Sequence, residues 1–175
     1  MANYQYLAQV QTSFPGLFML ATEATLKVRY EQLDQWGQGS DYAYDIIGDL
    51  NNGAAGWIEW NILLDQFGGP QHALGPCDAP ILANNITKAL EYGAQYWHMG
   101  HFSKFIPVNS SRAQLDFFES TLTGGLNATG VVTTSGQHVV VVLNQGKESV
   151  QYQLQMDAEV ATVTIPANGI QTLIF

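Results

Sequence analysis

A carboxylate at the end of a short apolar run, that of Glu23, is the first candidate for chemistry in this chain. The run Leu17–Ala21 is apolar without a break, follows Pro15-Gly16 and is too short for a helix. We therefore predict a strand buried on both faces. At the C-terminal end of a buried parallel strand, a carboxylate lies on the rim where a (β/α) barrel carries its catalytic groups. The alternative is an ordinary exposed glutamate that follows a short strand.

A second strand, predicted over Ala54–Leu64, carries two tryptophans that could stack on a sugar. This stretch is also apolar on both faces, which is typical of a buried parallel strand. A tryptophan on such a strand belongs more often to the core than to a binding pocket. We assign Trp57 to the core and, from these residues alone, keep both interpretations open for Trp60.

The histidines and the single cysteine do not form a recognisable metal or nucleophile site. His98 and His101 are three residues apart on a predicted helix, but no carboxylate or cysteine stands nearby in sequence to complete a metal site. We expect both to have packing and capping roles. In the loop before them, His72, Cys77 and Asp78 lack a base partner or ligand spacing. We predict no metal and no cofactor, and a single cysteine excludes an intrachain disulfide.

One predicted helix connects the two strands. Ser40 is a suitable N-cap, apolar residues follow at helical spacing, and Asn52-Gly53 is a stop signal. A crossover of this length between two strands makes them parallel, so the sequence predicts a βαβ unit. A glycine- and proline-rich loop over residues 65–80 and a second helix over about Glu91–Ile106, ending at Pro107, follow.

Beyond this helix the pattern changes to short strands separated by turn residues, which is typical of an antiparallel β-sandwich. We place a domain boundary here, with residues 1–107 in a barrel portion and residues 108–175 in a sandwich portion. A closed (β/α) barrel needs eight strand-helix units and about 250 residues, so we predict the C-terminal part of a larger barrel, namely its last two strands and helices. The strands are predicted at Gln114–Phe118, Thr129–Thr133, His138–Leu143, Val150–Leu154, Ala161–Ile165 and Gln171–Phe175.

Composition supports an incomplete barrel and excludes one class of partner. Charged residues make up 12% of the 175 residues, about half of the ~25% usual in soluble domains. Too little charge to cover a whole surface indicates that further protein covers part of it. The formal charge of −9 repels polyphosphates, so we predict no nucleic-acid partner.

Three glycosylation sequons begin at Asn85, Asn109 and Asn127, and they matter only if the chain enters a secretory route. The first residues lack the charged and apolar regions of a signal peptide, and no run of 18 apolar residues occurs. The chain is therefore either cytosolic as it stands or preceded by further residues.

Several sequence blocks resemble, in order and spacing, the glucosylceramidase (lysosomal acid β-glucosidase) group of glycoside hydrolase family 30. The resemblance covers nearly the whole chain from Phe14, and the block around His98 is its most specific part. The blocks are Phe14-Pro15, Leu20-Ala21-Thr22-Glu23-Ala24, Gly56-Trp57-Ile58-Glu59-Trp60-Asn61, Gly68-Gly69-Pro70, Asp78-Ala79-Pro80-Ile81 and the ten residues His98 to Pro107.

The resemblance implies a (β/α)8 barrel with a β-sandwich that hydrolyses a β-glucosidic bond with retention of configuration. It places Glu23 on the catalytic nucleophile at the end of the seventh barrel strand. It places Trp60, on the eighth strand, on an aromatic residue that lines the glucose pocket, which favours the pocket interpretation. Glu59 matches an acidic residue inside the barrel, and we expect it to be a buried hydrogen-bonding group.

The same resemblance implies that the second carboxyl group is missing. In this family the acid/base follows an asparagine in an Asn-Glu-Pro type of motif on the fourth strand, and no Asn-Glu pair occurs in these residues. We expect the 175 residues alone to be inactive. Alternatives are a non-catalytic carbohydrate-binding or interaction protein and a truncated product without an independent fold.

The resemblance also implies the surroundings of the protein. The substrate would be glucosylceramide or a related β-glucoside or glycosphingolipid, and the setting lysosomal or secreted. A membrane surface or an activator protein would be the further partner. Both chemical steps use only carboxylates and water, so no cofactor is required.

Overall fold

The computed structural model describes residues 4–25, 35–70, 76–116 and 125–175. By internal contacts the chain divides into two compact units, unit 1 over Met1–Gly100 and unit 2 over His101–Phe175. The helices are α1 (Gln5–Ser13), α2 (Gln35–Asn51) and α3 (Ala94–Ser103). The strands are β1 (Met19–Ala24), β2 (Ala54–Glu59), β3 (Leu63–Asp65), β4 (Ile81–Asn84), β5 (Ala89–Tyr92), β6 (Ser111–Ala113), β7 (Leu126–Val132), β8 (His138–Asn144), β9 (Val150–Met156), β10 (Glu159–Ile165) and β11 (Ile170–Ile174).

In unit 1, β1 and β2 form the predicted parallel pair, and α2 precedes β2 in the chain. The prediction that β1 is buried on both faces is wrong, because Leu20 on the strand and Leu17 before it are exposed. Among the described residues β1 pairs with β2 alone. Strand pairing satisfies the backbone groups along an edge but does not cover the side chains, which point from the two faces of the sheet.

Helix α2 differs from the prediction at its start. Ser40 is not its N-cap but a buried residue inside the helix, which includes Gln35 and runs to Asn51. Gly39 also lies inside the helix. The close approach of α3 explains why a glycine is needed there, since a Cβ on Gly39 would come within 2.7 Å of the Ala94 carbonyl oxygen. The stop signal is confirmed, since Gly53 ends the turn after the helix with a φ of +100°.

The predicted strand over Ala54–Leu64 is two strands, β2 and β3. β3 pairs in parallel with β4, and β4 pairs antiparallel with β5, so strands of a small three-stranded sheet flank the expected loop, and β5 overlaps the start of the predicted second helix. Helix α3 is shorter than predicted and begins after Gly93. Residues 71–75 of the loop, including His72, lie outside the described residues.

Unit 2 is antiparallel throughout its described strands. One sheet has the order β11-β8-β7-β6, and β9 and β10 form a hairpin. Five of the six predicted strands are found close to their expected positions, whereas the strand expected at Gln114–Phe118 is replaced by β6 just before it, and residues 117–124 are not described. One core cluster of unit 2 is formed by the buried residues Ala128, Val140, Val142 and Ile165.

Candidate active site

The two parallel strands of unit 1 bring Glu23 and Trp60 to the same sheet edge. Glu23 is the second-last residue of β1, and Trp60 directly follows the last residue of β2. Ala24 is paired with Glu59, and the Trp60 amide donates a 2.9 Å hydrogen bond to the Ala24 carbonyl oxygen. Because parallel strands share their carboxyl edge, both predicted site residues lie on the rim where barrel enzymes carry their chemistry.

The Glu23 side chain is exposed. It follows the apolar part of β1, so the strand fixes its backbone while the carboxylate remains open to solvent. An accessible carboxylate near the end of a strand can meet a ligand from outside. This is compatible with a nucleophile and also with the simpler alternative of an exposed surface glutamate.

Trp60 is partly buried and packs against a small core cluster of Leu64, Cys77 and Ala79. The cluster joins the residues after β2 to the segment before β4. A large aromatic ring held on one side by packing and open on the other can form a pocket wall. The packing of Trp60 is therefore compatible both with a core residue and with a residue of a binding pocket, the two interpretations that the sequence left open.

Trp57 faces α2. Its indole Nε1 donates a 2.9 Å hydrogen bond to the Asp45 carboxylate, and its ring meets the Tyr42 ring edge-on at 5.3 Å between centroids. Asp45 also accepts a 2.7 Å hydrogen bond from the Tyr4 hydroxyl. Trp57 thus packs between strand and helix, as its assignment to the core predicts. The linking role of Asp45 and Tyr4 was not predicted, because no local pattern connects positions so far apart.

The prediction for Glu59 needs correction. Glu59 lies close to Tyr42 of α2, so its carboxyl group is on the helix side of β2 with Trp57 rather than inside the barrel. Both carboxyl oxygens are shielded from solvent, yet neither has a well-formed hydrogen bond within the described residues. Burial raises the pKa of Glu59 to about 7, and the negative charge of Asp78 adds to this, whereas the Tyr42 hydroxyl and two nearby backbone amides oppose it.

A buried polar network next to Glu59 was missed by sequence reasoning. Gln95 of α3 donates from Nε2 to the Asp78 carboxylate at 2.7 Å and to the Gln38 side-chain oxygen at 3.3 Å. The Ala79 amide donates to the other Asp78 oxygen at 2.9 Å. The network fixes the segment before β4 against both helices, and since its members are far apart in sequence, no spacing could have indicated it.

His98 and His101 have separate partners. His98 is fully buried, and its Nδ1 lies 2.8 Å from the Ala94 carbonyl oxygen, so Nδ1 carries the proton. Burial lowers the pKa of His98. His101 has its Nδ1 2.9 Å from the Thr172 hydroxyl within unit 2. These contacts agree with packing roles.

Among the described residues, no three His, Cys, Asp or Glu side chains are placed to hold a metal ion. No helix in the described ranges has the length and apolar character needed to cross a membrane.

A pair of parallel strands with an intervening helix, followed by antiparallel strands, defines the chain as part of a (β/α) barrel followed by a β-sandwich. This is the fold class that the sequence predicted, and it is confirmed. The chain belongs to glycosyl hydrolase family 30. The model of that family's TIM-barrel domain matches residues 2–106, and the model of its beta sandwich domain matches residues 109–173.

Curated relatives agree with this membership. The lysosomal acid glucosylceramidase of Mus musculus is 35% identical over 148 residues, which is 82% of this chain and 28% of the mouse protein. Putative glucosylceramidase 3 of Caenorhabditis elegans is 31% identical over 171 residues, which is 94% of this chain and 32% of that protein. The chain thus spans less than a third of the length of these two relatives.

Solved structures show the same fold. SrfJ from Salmonella typhimurium superposes with a TM-score of 0.91 at 24% identity and covers 98% of this chain and 38% of its own. An endo-β1,6-glucanase superposes with a TM-score of 0.84 at 19% identity over 98% of this chain and 38% of its own.

Proposed function

We propose that this chain is the C-terminal part of a retaining β-glucosidase in which Glu23 is the nucleophile and Trp60 forms a wall of the glucose pocket. The observation that carries the proposal is the parallel pairing of β1 with β2, which puts both residues at one rim. Membership of a glycoside hydrolase family supports the reaction class. The exposure of the Glu23 carboxylate supports its access to a substrate.

The chemistry requires two carboxyl groups. Retaining glycosidases hold them ~5–5.5 Å apart, one to attack the anomeric carbon and one to protonate the leaving oxygen and then activate water. Glu23 would form the covalent glycosyl-enzyme intermediate. Glu59 does not suit the second role, because its carboxyl group is shielded on the helix side of β2. The acid/base would therefore come from residues outside this sequence, which has no Asn-Glu pair.

The substrate proposed is glucosylceramide or a related β-glucoside. It rests on the names of the relatives, which are glucosylceramidases. The mouse relative is named lysosomal, which supports a lysosomal setting, with secretion as the alternative. A membrane surface or an activator protein is proposed as the further partner because the substrate is a lipid.

We further propose the domain boundary at residues 107 and 108. The two family models end and begin on either side of it, at residues 106 and 109. Internal contacts divide the chain slightly earlier, between Gly100 and His101. Limited proteolysis that cuts first within residues 104–110 would support the proposed boundary, and a first cut within α3 would oppose it.

Glu23→Gln tests the proposed nucleophile. The amide keeps the size of the side chain but cannot attack the anomeric carbon, so kcat on an aryl β-glucoside should fall by about 10⁴-fold or more. The assay requires a protein that contains the whole barrel. Glu148→Gln, an exposed change in unit 2, is the control and should leave kcat unchanged. Substantial activity of Glu23→Gln would remove Glu23 from the mechanism.

A non-catalytic carbohydrate-binding protein is the second candidate. It is favoured by one observation, the combination of a half-exposed Trp60 with the lack of an Asn-Glu pair in these residues. Titration calorimetry of the 175-residue chain with a β-glucoside should then show binding that Trp60→Ala abolishes. Trp97→Ala, which changes an exposed tryptophan on α3, is the matched control. No binding by the unchanged chain would count against this candidate.

A further inference from the structure

The three sequons lie in three different structural settings. One is in the turn between β4 and β5, one is in the turn before β6, and one is on β7. We propose that Asn85 and Asn109 are acceptors for N-linked oligosaccharides and that Asn127 is not. Neither acceptor lies on β1 or β2, so the proposal rests on the proposed lysosomal or secreted setting and not on the proposed catalytic roles.

Asn109 occupies an exposed turn. The Ser110 amide and hydroxyl both donate to the Pro107 carbonyl oxygen, at 3.2 and 2.6 Å, and these bonds close the turn around Asn109. Asn109 has a φ of +67°, a left-handed conformation that asparagine tolerates better than most residues. Its side chain is exposed, and so is Ser111, the third residue of the sequon.

Asn85 is exposed at the tip of the β4–β5 hairpin. Its side-chain oxygen accepts a 2.7 Å hydrogen bond from Gln66, and its backbone amide donates to the Gln66 side-chain oxygen at 3.1 Å. Neither bond uses Nδ2, the atom that would carry the sugar. Thr87, the third residue of this sequon, is also exposed. Asn85 is therefore held by Gln66 in a position that leaves Nδ2 available.

Asn127 is in a different environment. It lies on β7 and is paired with Leu143 of β8, and its Nδ2 donates a 3.2 Å hydrogen bond to the Gly125 carbonyl oxygen. Thr129, the third residue of the sequon, is fully buried together with its hydroxyl group. A sequon is a useful acceptor in a surface loop, and this one is part of a central strand of a sheet.

The most exposed aliphatic side chains in the described ranges stand beside the two proposed acceptors. Val108 directly precedes Asn109 and is 86% exposed, and Ile86 directly follows Asn85 and is 75% exposed. Apolar side chains this open to water increase the tendency of a protein to aggregate. A hydrated oligosaccharide on the neighbouring asparagine would cover each of them.

The reaction needs a lipid diphosphate-linked oligosaccharide as the co-reactant. The Asn Nδ2 forms a bond to the anomeric carbon of the first sugar, and the bond from that carbon to the diphosphate oxygen breaks. The lipid diphosphate leaves with the electron pair, and a solvent base takes the proton from Nδ2. No oxidant or reductant is involved.

The test is expression of all 175 residues behind a cleavable secretory signal in insect cells, with electrophoresis of cell lysate and medium before and after peptide-N-glycosidase F. Two glycans are expected, so the untreated chain should migrate two steps above the treated chain. Each of Asn85→Gln and Asn109→Gln should remove one step. Thr87→Ala and Ser111→Ala should do the same while they retain the asparagine, which separates loss of the sequon from any effect of the asparagine on folding.

Asn127→Gln is the matched control and should remove no step. Peptide mapping after deglycosylation in ¹⁸O-water should mark Asn85 and Asn109 as converted to aspartate and should leave Asn127 unlabelled. An unmodified Asn85 or Asn109, or a labelled Asn127, would overturn the proposal. Lysate is included because a chain retained in the cell has still met the transferase, so poor secretion does not conceal the result.

Discussion

The carboxyl group of Glu59 lies where its charge is unfavourable. Both oxygens are shielded from water, and Asp78 places a second negative charge nearby. An ionised carboxylate without well-formed hydrogen bonds in such a place is destabilising, and a proton removes much of that cost. The single residue therefore links the stability of unit 1 to pH.

The sign of this linkage follows from the direction of the shift. The folded pKa of Glu59, about 7, lies above its usual value of 4.5. The folded chain therefore binds the proton more tightly, and the stability gained is fully present below about pH 4.5 and is lost as pH rises through about 7. We expect the free energy of unfolding to be larger at about pH 5.5 than at about pH 8, by roughly 1–2 kcal/mol, because Glu59 as a whole is only partly buried and solvent screens part of its charge.

Urea unfolding of the 175-residue chain at both pH values measures this difference. Glu59→Gln should remove most of it, and Glu159→Gln, an exposed change, should not. Burial and the charge of Asp45 raise the pKa of Asp49 to about 6, so Asp49 also makes the fold less stable as pH rises, but over a lower pH range. The lowered pKa of His98 has the opposite effect on stability. An unchanged pH dependence in Glu59→Gln would contradict this account.

Residue positions were predictable where a short apolar run ended, and side-chain directions were not. Glu23 follows such a run, so the sequence placed it at a strand end. Trp60 was predicted inside the strand over Ala54–Leu64, and only the structure shows that β2 ends just before it. For Glu59 the resemblance implied a place inside the barrel, and the strand pattern, apolar on both faces, could not test it. Without alternation, only the position of α2 decides which face Glu59 occupies.

Between elements, Gly39 of α2 lies in close contact with α3. A Cβ at this position would meet the Ala94 carbonyl oxygen and the His98 ring. His98 is fully buried, so it has little room to move away. The glycine thus has a packing role in a helix whose propensity it lowers.

Gly39→Ala should therefore destabilise the chain by about 1–3 kcal/mol, the usual cost of overpacking. Gly100→Ala is the matched control, because Gly100 also lies in a helix but nothing stands within 4 Å of its added Cβ. That change should stabilise by roughly 0.5–1 kcal/mol through helix propensity. The midpoint of urea unfolding measures both, and equal effects of the two substitutions would show that α3 does not constrain Gly39.

Local signals explain which element boundaries were predictable. Gly53 ended α2 as expected, since a positive φ there needs no long-range information. The prediction that Ser40 is the N-cap failed, because Gly39 beside it is part of the helix. Gly39 packs against α3, and helix propensity cannot reveal such a tertiary contact. The β4–β5 hairpin was missed because its turn, Asn84 to Lys88, contains no glycine or proline and therefore gave no clear turn signal.

At the scale of the whole molecule, the low charge content and the exposed apolar side chains both indicate an unusually apolar surface. Phe18 is 79% exposed and Leu17 is 68% exposed beside β1. Among the described strands, β1 has β2 as its one neighbour. The composition predicts a surface that further protein covers, and the exposed side chains just before β1 are the candidates for it.

The isolated 175-residue chain should therefore self-associate through this segment. Covering one large apolar side chain contributes about 1.5–3 kcal/mol, so Leu17→Ser with Phe18→Ser should weaken association by roughly tenfold or more. Sedimentation velocity over a concentration series measures the constant, and binding of an apolar dye should fall in parallel. Val108→Ser is the control, since Val108 is as exposed but stands in a separate turn. If both variants associate as the unchanged chain does, the segment before β1 is not the surface that other protein covers.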